Sequence, residues 1–305
     1  MSSIVEDITE AALSRWKLIR IQLLSAGVSS IVEVSLLTPL DVVKTRLQLQ
    51  KNNVGNIKYQ YNGVLDAFYK IYRREGIPAF WRGIVPPMLS DTPRRSFKLV
   101  MFEQLKPVFT FGDKPTVATY ILAGSLAGMM EALLQSPFDV IKITQQANRK
   151  KKLSTLGVTK RIYREGGFGL KGLYRGVATT IIRNGIFHFA YLGLFSVAKD
   201  ATGHQKTATR EIINKTGLAF IFSWLGCFLS LPFDVIKSRI QGPQPVAGEV
   251  KYSRTIPTMV AIYKEEGITA LYKGLIPQLL RQGPAGIILL LGFEFLNTIQ
   301  LAKYV

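Results

Sequence analysis

Three short patterns in this chain combine an acid, a base and an amide at fixed spacing. Asp41, Lys44 and Gln48 follow Pro39; Asp139, Lys142 and Gln146 follow Pro137; Asp234, Lys237 and Gln241 follow Pro232. On a helix, residues three, four and seven apart share a face, so each triple presents its groups together. The chemistry open to them is the making and breaking of ion pairs. Three helices related by threefold pseudosymmetry would let each Asp meet the Lys of a neighbour. A second set is basic: Arg95 and Lys98, with Arg94 beside them, then Arg183 with Asn184, then Arg281. Arg grips a carboxylate through two parallel hydrogen bonds, so bases converging from three separate segments suit a small dianion. Other chemistries lack their residues. One cysteine, Cys227, and two distant histidines, His188 and His204, supply no metal site, no disulfide and no nucleophile-base set. Gly167, Gly169 and Gly172 spell a dinucleotide-binding pattern, but no strand precedes them and no acid follows until Asp200. No cofactor and no metal are expected, and the chain does not read as an enzyme.

The elements that must position these residues are repeated. The Pro-acid-base pattern recurs at intervals of 98 and 95 residues, and each copy is followed by acid-Gly and aromatic-base-Gly. The copies are Glu75-Gly76 with Trp81-Arg82-Gly83, Glu165-Gly166 with Tyr174-Arg175-Gly176, and Glu266-Gly267 with Tyr272-Lys273-Gly274. The middle copy has three extra residues, read as a loop insertion. The chain thus divides into modules at 1–112, 113–206 and 207–305, too long for solenoid repeats. Each module carries two long apolar segments and, between the signatures, a short amphipathic helix, such as Val64, Leu65, Phe68, Ile71 and Tyr72 with Lys70, Arg73 and Arg74 opposite. Thr216 to Phe233 runs 18 residues without a charge, at the threshold for crossing a bilayer. Gly124 with Gly128 and Gly226 with Ser230 have the small-residue spacing of closely packed membrane helices. The expected fold is an all-α membrane bundle of six transmembrane helices, bent by the prolines, with a short helix in each module. Charges at helix centres cost about 2.5–3.5 kcal/mol, so those above should face partners or water.

Composition agrees. With 39 Lys+Arg against 20 Asp+Glu, the formal charge is +19, yet 48% of residues are hydrophobic and only 19% are charged. Disorder is excluded by the apolar content, and nucleic-acid binding is disfavoured by the low charged fraction. The N-terminal 20 residues contain Glu6, Asp7 and Glu10 and no apolar run, so no cleavable presequence is expected.

These motifs resemble those of the mitochondrial carrier family, in which Pro-x-acid-x-x-base closes each odd helix and acid-Gly and aromatic-base-Gly follow. The resemblance implies a multi-pass protein of the mitochondrial inner membrane, with three matrix helices around a cavity that opens alternately to either side. It implies a matrix gate of Asp41 with Lys142, Asp139 with Lys237 and Asp234 with Lys44, braced by Gln48, Gln146 and Gln241. On the even helices, Phe102-Glu103-x-x-Lys106 matches the cytoplasmic-gate pattern, Phe195-Ser196-x-x-Lys199 lacks the acid and Phe293-Glu294-x-x-Asn297 lacks the base. That implies Glu103 with Lys199 and Glu294 with Lys106, a gate weaker than the matrix one. Restoring Asp at 196 and Lys at 297 is expected to favour the state closed to the cytoplasm.

Arg82-Gly83, Arg175-Gly176 and Lys273-Gly274 match the family's cardiolipin clamps, and a helix beginning there offers backbone N–H groups to an anion. Within the family, Pro39 to Arg46, Pro86 to Arg95 and Ser238 to Pro245 are similar to carriers of 2-oxodicarboxylates. Antiport of 2-oxoadipate, 2-oxoglutarate and related dicarboxylates is therefore implied, with Arg95, Lys98, Arg183, Asn184 and Arg281 as the substrate contacts. Asn184 replaces the His general in that branch, and Gln282-Gly-Pro-Ala-Gly replaces its apolar-Gly-Pro-Gly-Gly. The alternatives are transport of another small carboxylate or amino acid, or a degenerate carrier fold acting as scaffold or proton leak. A monomer is the expected working unit.

Overall fold

The computed structural model describes residues 2–50, 60–110, 115–148, 154–202, 208–244 and 250–302, and among these the side chains within 25–195 and 217–288 and at 291, 292 and 295. Every regular element among these residues is helical. Six helices are long: α1 (Ser2–Leu49), α3 (Val85–Val108), α4 (Val117–Ala147), α6 (Val177–Thr202), α7 (Ala208–Gln241) and α9 (Leu275–Ala302). Three are short: α2 (Val64–Glu75), α5 (Thr155–Gly166) and α8 (Thr255–Glu266). Single 3₁₀ turns at Ile77–Trp81 and Ile268–Tyr272 follow α2 and α8. In the middle module the three extra residues fall in a string of turns over 167–176.

Stretches within three of the long helices, Ser25–Leu49, Val117–Ala147 and Gly217–Gln241, are long and apolar enough to cross a membrane on length and composition. The even helices α3, α6 and α9 run 24, 26 and 28 residues and carry Arg94, Arg95, Lys98, Arg183 and Arg281. Contacts run α1 to α9, α3 to α4, α4 to α6 and α6 to α7, with lighter contact from α1 to α3 and from α7 to α9, which closes a ring of six. The ring turns apolar side chains outward, among them Ile31, Leu36, Ile221, Phe228 and Leu280. Apolar surface on this scale needs something other than water against it, as lipid would be.

Small residues set the close approaches. A methyl on Gly124 would collide with Leu192, and one on Gly128 with His188, so these glycines let α6 lie tight on α4. Each module buries a local core at the C-terminal end of its odd helix. Val42 and Val43 pack with Tyr61, Ala67, Ile71, Ala79 and Phe80. Val140 and Ile141 do so with Val158, Ile162 and Leu173, and Ile236 and Ile240 with Tyr252, Ile262 and Leu271. On α2 the buried stripe is Ala67 and Ile71, flanked by Val64 and Phe68, whereas Leu65 and Tyr72 are exposed. The apolar face expected from sequence is therefore narrower than the apolar residues themselves. The i, i+4, i+7 stripe meets α1, and the remainder faces outward.

Candidate functional site

Pro39, Pro137 and Pro232 lie inside α1, α4 and α7, nine or ten residues before the C-terminal ends of those helices. Each removes a backbone donor and bends its helix. Below the bends the odd helices meet one another. There Lys142 Nζ lies 2.6 Å from Asp41 Oδ2, Lys237 Nζ lies 2.5 Å from Asp139 Oδ2, and Lys44 pairs with Asp234. The result is a closed cycle in which each acid takes its base from the next module. Asp41, Asp234 and Lys237 are buried, so an unpaired partner here would be costly.

The three glutamines sit beneath this cycle in different ways. Gln48 donates to Asp234 Oδ2 at 3.4 Å and accepts from Ser238 Oγ at 2.6 Å. Gln146 accepts from Thr45 Oγ1 at 2.7 Å. At the position matching Thr45 and Ser238 the middle module has Ile143, which offers no hydroxyl. Gln241 accordingly donates to the Arg175 carbonyl at 3.2 Å and to Thr180 Oγ1 at 3.5 Å. Among the described residues, only Gln48 of the three hydrogen bonds an acid of the cycle.

Two even-helix arginines reach the same acids from above. Arg281 Nε is 2.6 Å from Asp41 Oδ1, and Arg183 Nε is 3.3 Å from Asp234 Oδ1. Both stand seven residues after the glycine of aromatic-base-Gly; the matching residue of the first module is Ser90. Asp41 and Asp234 thus each hold one lysine through one oxygen and one arginine through the other.

Higher in the cleft, α3 supplies three bases. Arg95 pairs with Glu33 Oε2 at 2.6 Å. Arg94 bridges Glu131 at 2.9 Å and Asp91 at 3.1 Å, and Lys98 lies 3.7 Å from Glu131 Oε2. His188 is fixed as a neutral ring by its neighbours. Its Nδ1 is 2.8 Å from the Asn184 carbonyl, which only accepts, and its Nε2 is 3.4 Å from Lys98 Nζ, which donates. All six long helices contribute to this upper cavity of about 750 Å³, which holds Glu33, Arg95, Lys98 and His188 beside an apolar wall that includes Phe220 and Trp224. The ion cycle forms its floor.

Of the residues expected to contact substrate, Arg183 and Arg281 lie at the floor, and Arg95 and Lys98 line the wider cavity. Asn184 is buried between α4 and α6, where it donates to the Gly128 carbonyl at 3.0 Å and to Gln135 Oε1 at 3.2 Å and accepts from Arg183 at 2.8 Å. Its geometry is that of a bracket holding the arginine. The expected cytoplasmic-gate pairs are not assembled among the described residues: Glu103 and Lys106 pair with each other at 2.9 Å, and the side chains of Lys199 and Glu294 lie outside the described residues.

The aromatic-base-Gly bases point inward. Arg82 reaches the Asn148 carbonyl at 3.0 Å, Lys273 the Gln50 carbonyl at 2.9 Å, and Arg175 the Gln241 carbonyl. Each thereby caps the end of a neighbouring module's odd helix, where cations are favoured. Gly83, Gly176 and Gly274 have φ of 74°, 73° and 85°, the left-handed region that suits glycine. At Gly83 an added Cβ would also press on the Lys142 carbonyl at 3.0 Å.

Residues not singled out from sequence complete the site. Glu33 and Glu131 each stand six residues before the proline of their module, and that recurrence in two modules is the signal in the sequence that marks them. Arg46 and Arg239, seven residues after theirs, each make a bidentate pair with the acid-Gly glutamate of the same module, Glu75 and Glu266. The middle module has Thr144 there, and Glu165 pairs instead with exposed Arg161.

Comparison with known proteins bears on this triplicate architecture. The family model described as mitochondrial carrier protein matches three consecutive stretches, 16–112, 113–206 and 209–303. The chain belongs to the mitochondrial carrier family. This carrier is 40% identical over 277 residues to the mitochondrial 2-oxodicarboxylate carrier of Pongo abelii, covering 90% of this chain and 92% of the relative. It is 39% identical to that of Homo sapiens over the same span and coverage. To mitochondrial 2-oxodicarboxylate carrier 2 of Saccharomyces cerevisiae it is 36% identical over 293 residues, covering 93% of this chain and 95% of the relative.

Proposed function

We propose that this carrier is an antiporter of the mitochondrial inner membrane that exchanges 2-oxodicarboxylates such as 2-oxoadipate and 2-oxoglutarate by alternating access. The names of its relatives supply the substrate class, and the observation that carries the mechanism is the sharing of Asp41 and Asp234 between a lysine and an arginine. A dicarboxylate arriving at the floor offers two carboxylates to Arg183 and Arg281. Each arginine that turns to the substrate leaves a gate acid with its lysine alone, so binding loosens the matrix-side cycle. Only binding energy that differs between states can move such an equilibrium, and this exchange of partners supplies a difference. No bond is made or broken.

In this reading the pairs Asp41–Lys142, Asp139–Lys237 and Asp234–Lys44 are the matrix gate, with Gln48 as its principal brace and Gln146 and Gln241 holding the neighbouring helix ends. Arg95 and Lys98 attract and orient the incoming dianion. Asn184 acts through Arg183. Glu103, Lys106, Lys199 and Glu294 assemble the cytoplasmic gate in the opposite state. Cardiolipin binds at the helix starts after Gly83, Gly176 and Gly274 through backbone N–H groups, while Arg82, Arg175 and Lys273 hold those starts against the next module. One chain closes the ring, so a monomer suffices. An intact ion cycle and three base-bearing even helices favour transport over a degenerate scaffold.

The test is counter-exchange in liposomes. Wild-type protein takes up labelled 2-oxoglutarate against internal 2-oxoadipate, and Arg183→Ala and Arg281→Ala abolish that uptake. Exchange persisting in both variants at the wild-type rate would rule out these arginines as the substrate contacts.

A further inference from the structure

Among the described residues, the cavity and its floor contain eight bases: Lys44, Lys142 and Lys237 of the ion cycle, Arg183 and Arg281 above it, and Arg94, Arg95 and Lys98 of α3. Four aspartates, Asp41, Asp91, Asp139 and Asp234, oppose them, and alone would leave an excess of four positive charges. Glu33 and Glu131 reduce that excess to two, with His188 neutral. Both glutamates are buried, at 2% and 3% exposure, and both spend their carboxylates on α3 bases. The third module has Gly226 at the matching position, so it adds no third acid. A formal excess of two equals the charge of a dicarboxylate.

We infer that Glu33 and Glu131 set the charge class of the substrate: they occupy bases that would otherwise bind a further carboxylate, and so tune the cavity to dianions over trianions. This rests on the antiport reading above and deepens it. A glutamate and a substrate carboxylate are the same ligand to an arginine. Arg95 engaged by Glu33 at 2.6 Å, and Arg94 and Lys98 engaged by Glu131, have less attraction left for a third carboxylate. Removing either glutamate's charge frees about one unit of positive charge in a confined site, where opposite charges attract more strongly than in open water. Selectivity then arises from a repulsive element built into the protein as well as from attraction to the preferred ligand.

The test uses Glu33→Gln and Glu131→Gln, which keep a carbonyl to accept from the arginine and delete only the charge. Proteoliposomes loaded with 2-oxoglutarate are given labelled citrate or labelled 2-oxoglutarate, at a pH where citrate is a trianion. The readout is the ratio of the two uptakes, which cancels differences in the amount of folded protein. Either variant is expected to raise the citrate to 2-oxoglutarate ratio by about tenfold. An unchanged ratio in both variants would overturn the inference. So would loss of both uptakes in both variants with unaltered thermal unfolding, since the glutamates would then only hold the arginines in place. Wild-type protein exchanging neither ligand would instead defeat the antiport reading itself.

Discussion

At the scale of single residues, the arginines of the site are positioned by specific hydrogen-bond partners. Asn184 receives the Arg183 guanidinium and fixes itself to the Gly128 carbonyl, and this same carbonyl belongs to the glycine against which His188 rests. Asn184→Ala removes these bonds while leaving every cavity base in place. A buried hydrogen bond lost with its partner left unpaired costs about 1–3 kcal/mol. We expect KM for 2-oxoglutarate to rise about five- to fiftyfold with a smaller change in maximal rate, measured as initial uptake into proteoliposomes. A residue that contacted substrate only in the moving state would change the rate instead.

At the scale of elements, each matrix-side short helix is tied to its odd helix, but the modules are not equal. Arg46 and Glu75 are almost wholly buried, as are Arg239 and Glu266, whereas Arg161 and Glu165 stand in solvent. Breaking a buried bidentate pair leaves a charge without a partner and costs about 3–5 kcal/mol, while an exposed pair contributes little. Glu75→Gln should therefore lower the thermal unfolding temperature in detergent clearly, and Glu165→Gln should leave it nearly unchanged. The middle module, with Thr144 in place of the arginine, lacks this buried ion pair and joins its short helix to its odd helix through the hydrogen bond from Gln145 to Thr155 Oγ1 at 3.3 Å.

The same elements give a pH dependence. Burial alone would push the Glu266 carboxyl up, but hydrogen bonds donated by Arg239 and Lys273 outweigh it and hold the carboxyl below its usual range. A depressed folded-state value contributes stability that is complete above the unfolded value of about 4.3 and is lost as pH falls through the folded one. Thermal stability should decline below about pH 4. Glu266→Gln, measured against wild type across that range, should flatten the decline; a parallel curve would assign the loss to other carboxylates.

At the scale of the whole molecule, the three odd helices are locked to one another by three ion pairs while the ring above them encloses a polar cavity. Lys142→Ala deletes one pair and leaves Asp41 with Arg281 alone. We expect single cysteines introduced into the cavity wall to become more reactive to reagents applied from the matrix side, and exchange to slow. Equal accessibility in variant and wild type would separate the ion cycle from gating.

Much of this was legible in the chain. The repeat, the six long helices and the gathering of an acid, a base and an amide on one face of each odd helix follow from spacing, because helix geometry fixes which residues three, four and seven apart share a face. Which neighbour each acid takes was implied by the family resemblance, and the ion pairs have that order. The bases of the even helices were legible as residue types on three separate segments and not by repeat position, since Ser90 stands where Arg183 and Arg281 do. What periodicity could not assign was the partner of each base. Only the tertiary structure set Arg183 and Arg281 onto gate acids, turned Asn184 into a bracket and Arg82, Arg175 and Lys273 into caps of neighbouring helices, and brought Glu33 and Glu131 to Arg95 and Arg94. The two glutamate pairings join residues 62 and 37 positions apart on different helices, whose mutual rotation is decided by packing and not by spacing within either helix. Sequence determines which face a residue occupies; the rotation of one face against the next decides what it meets.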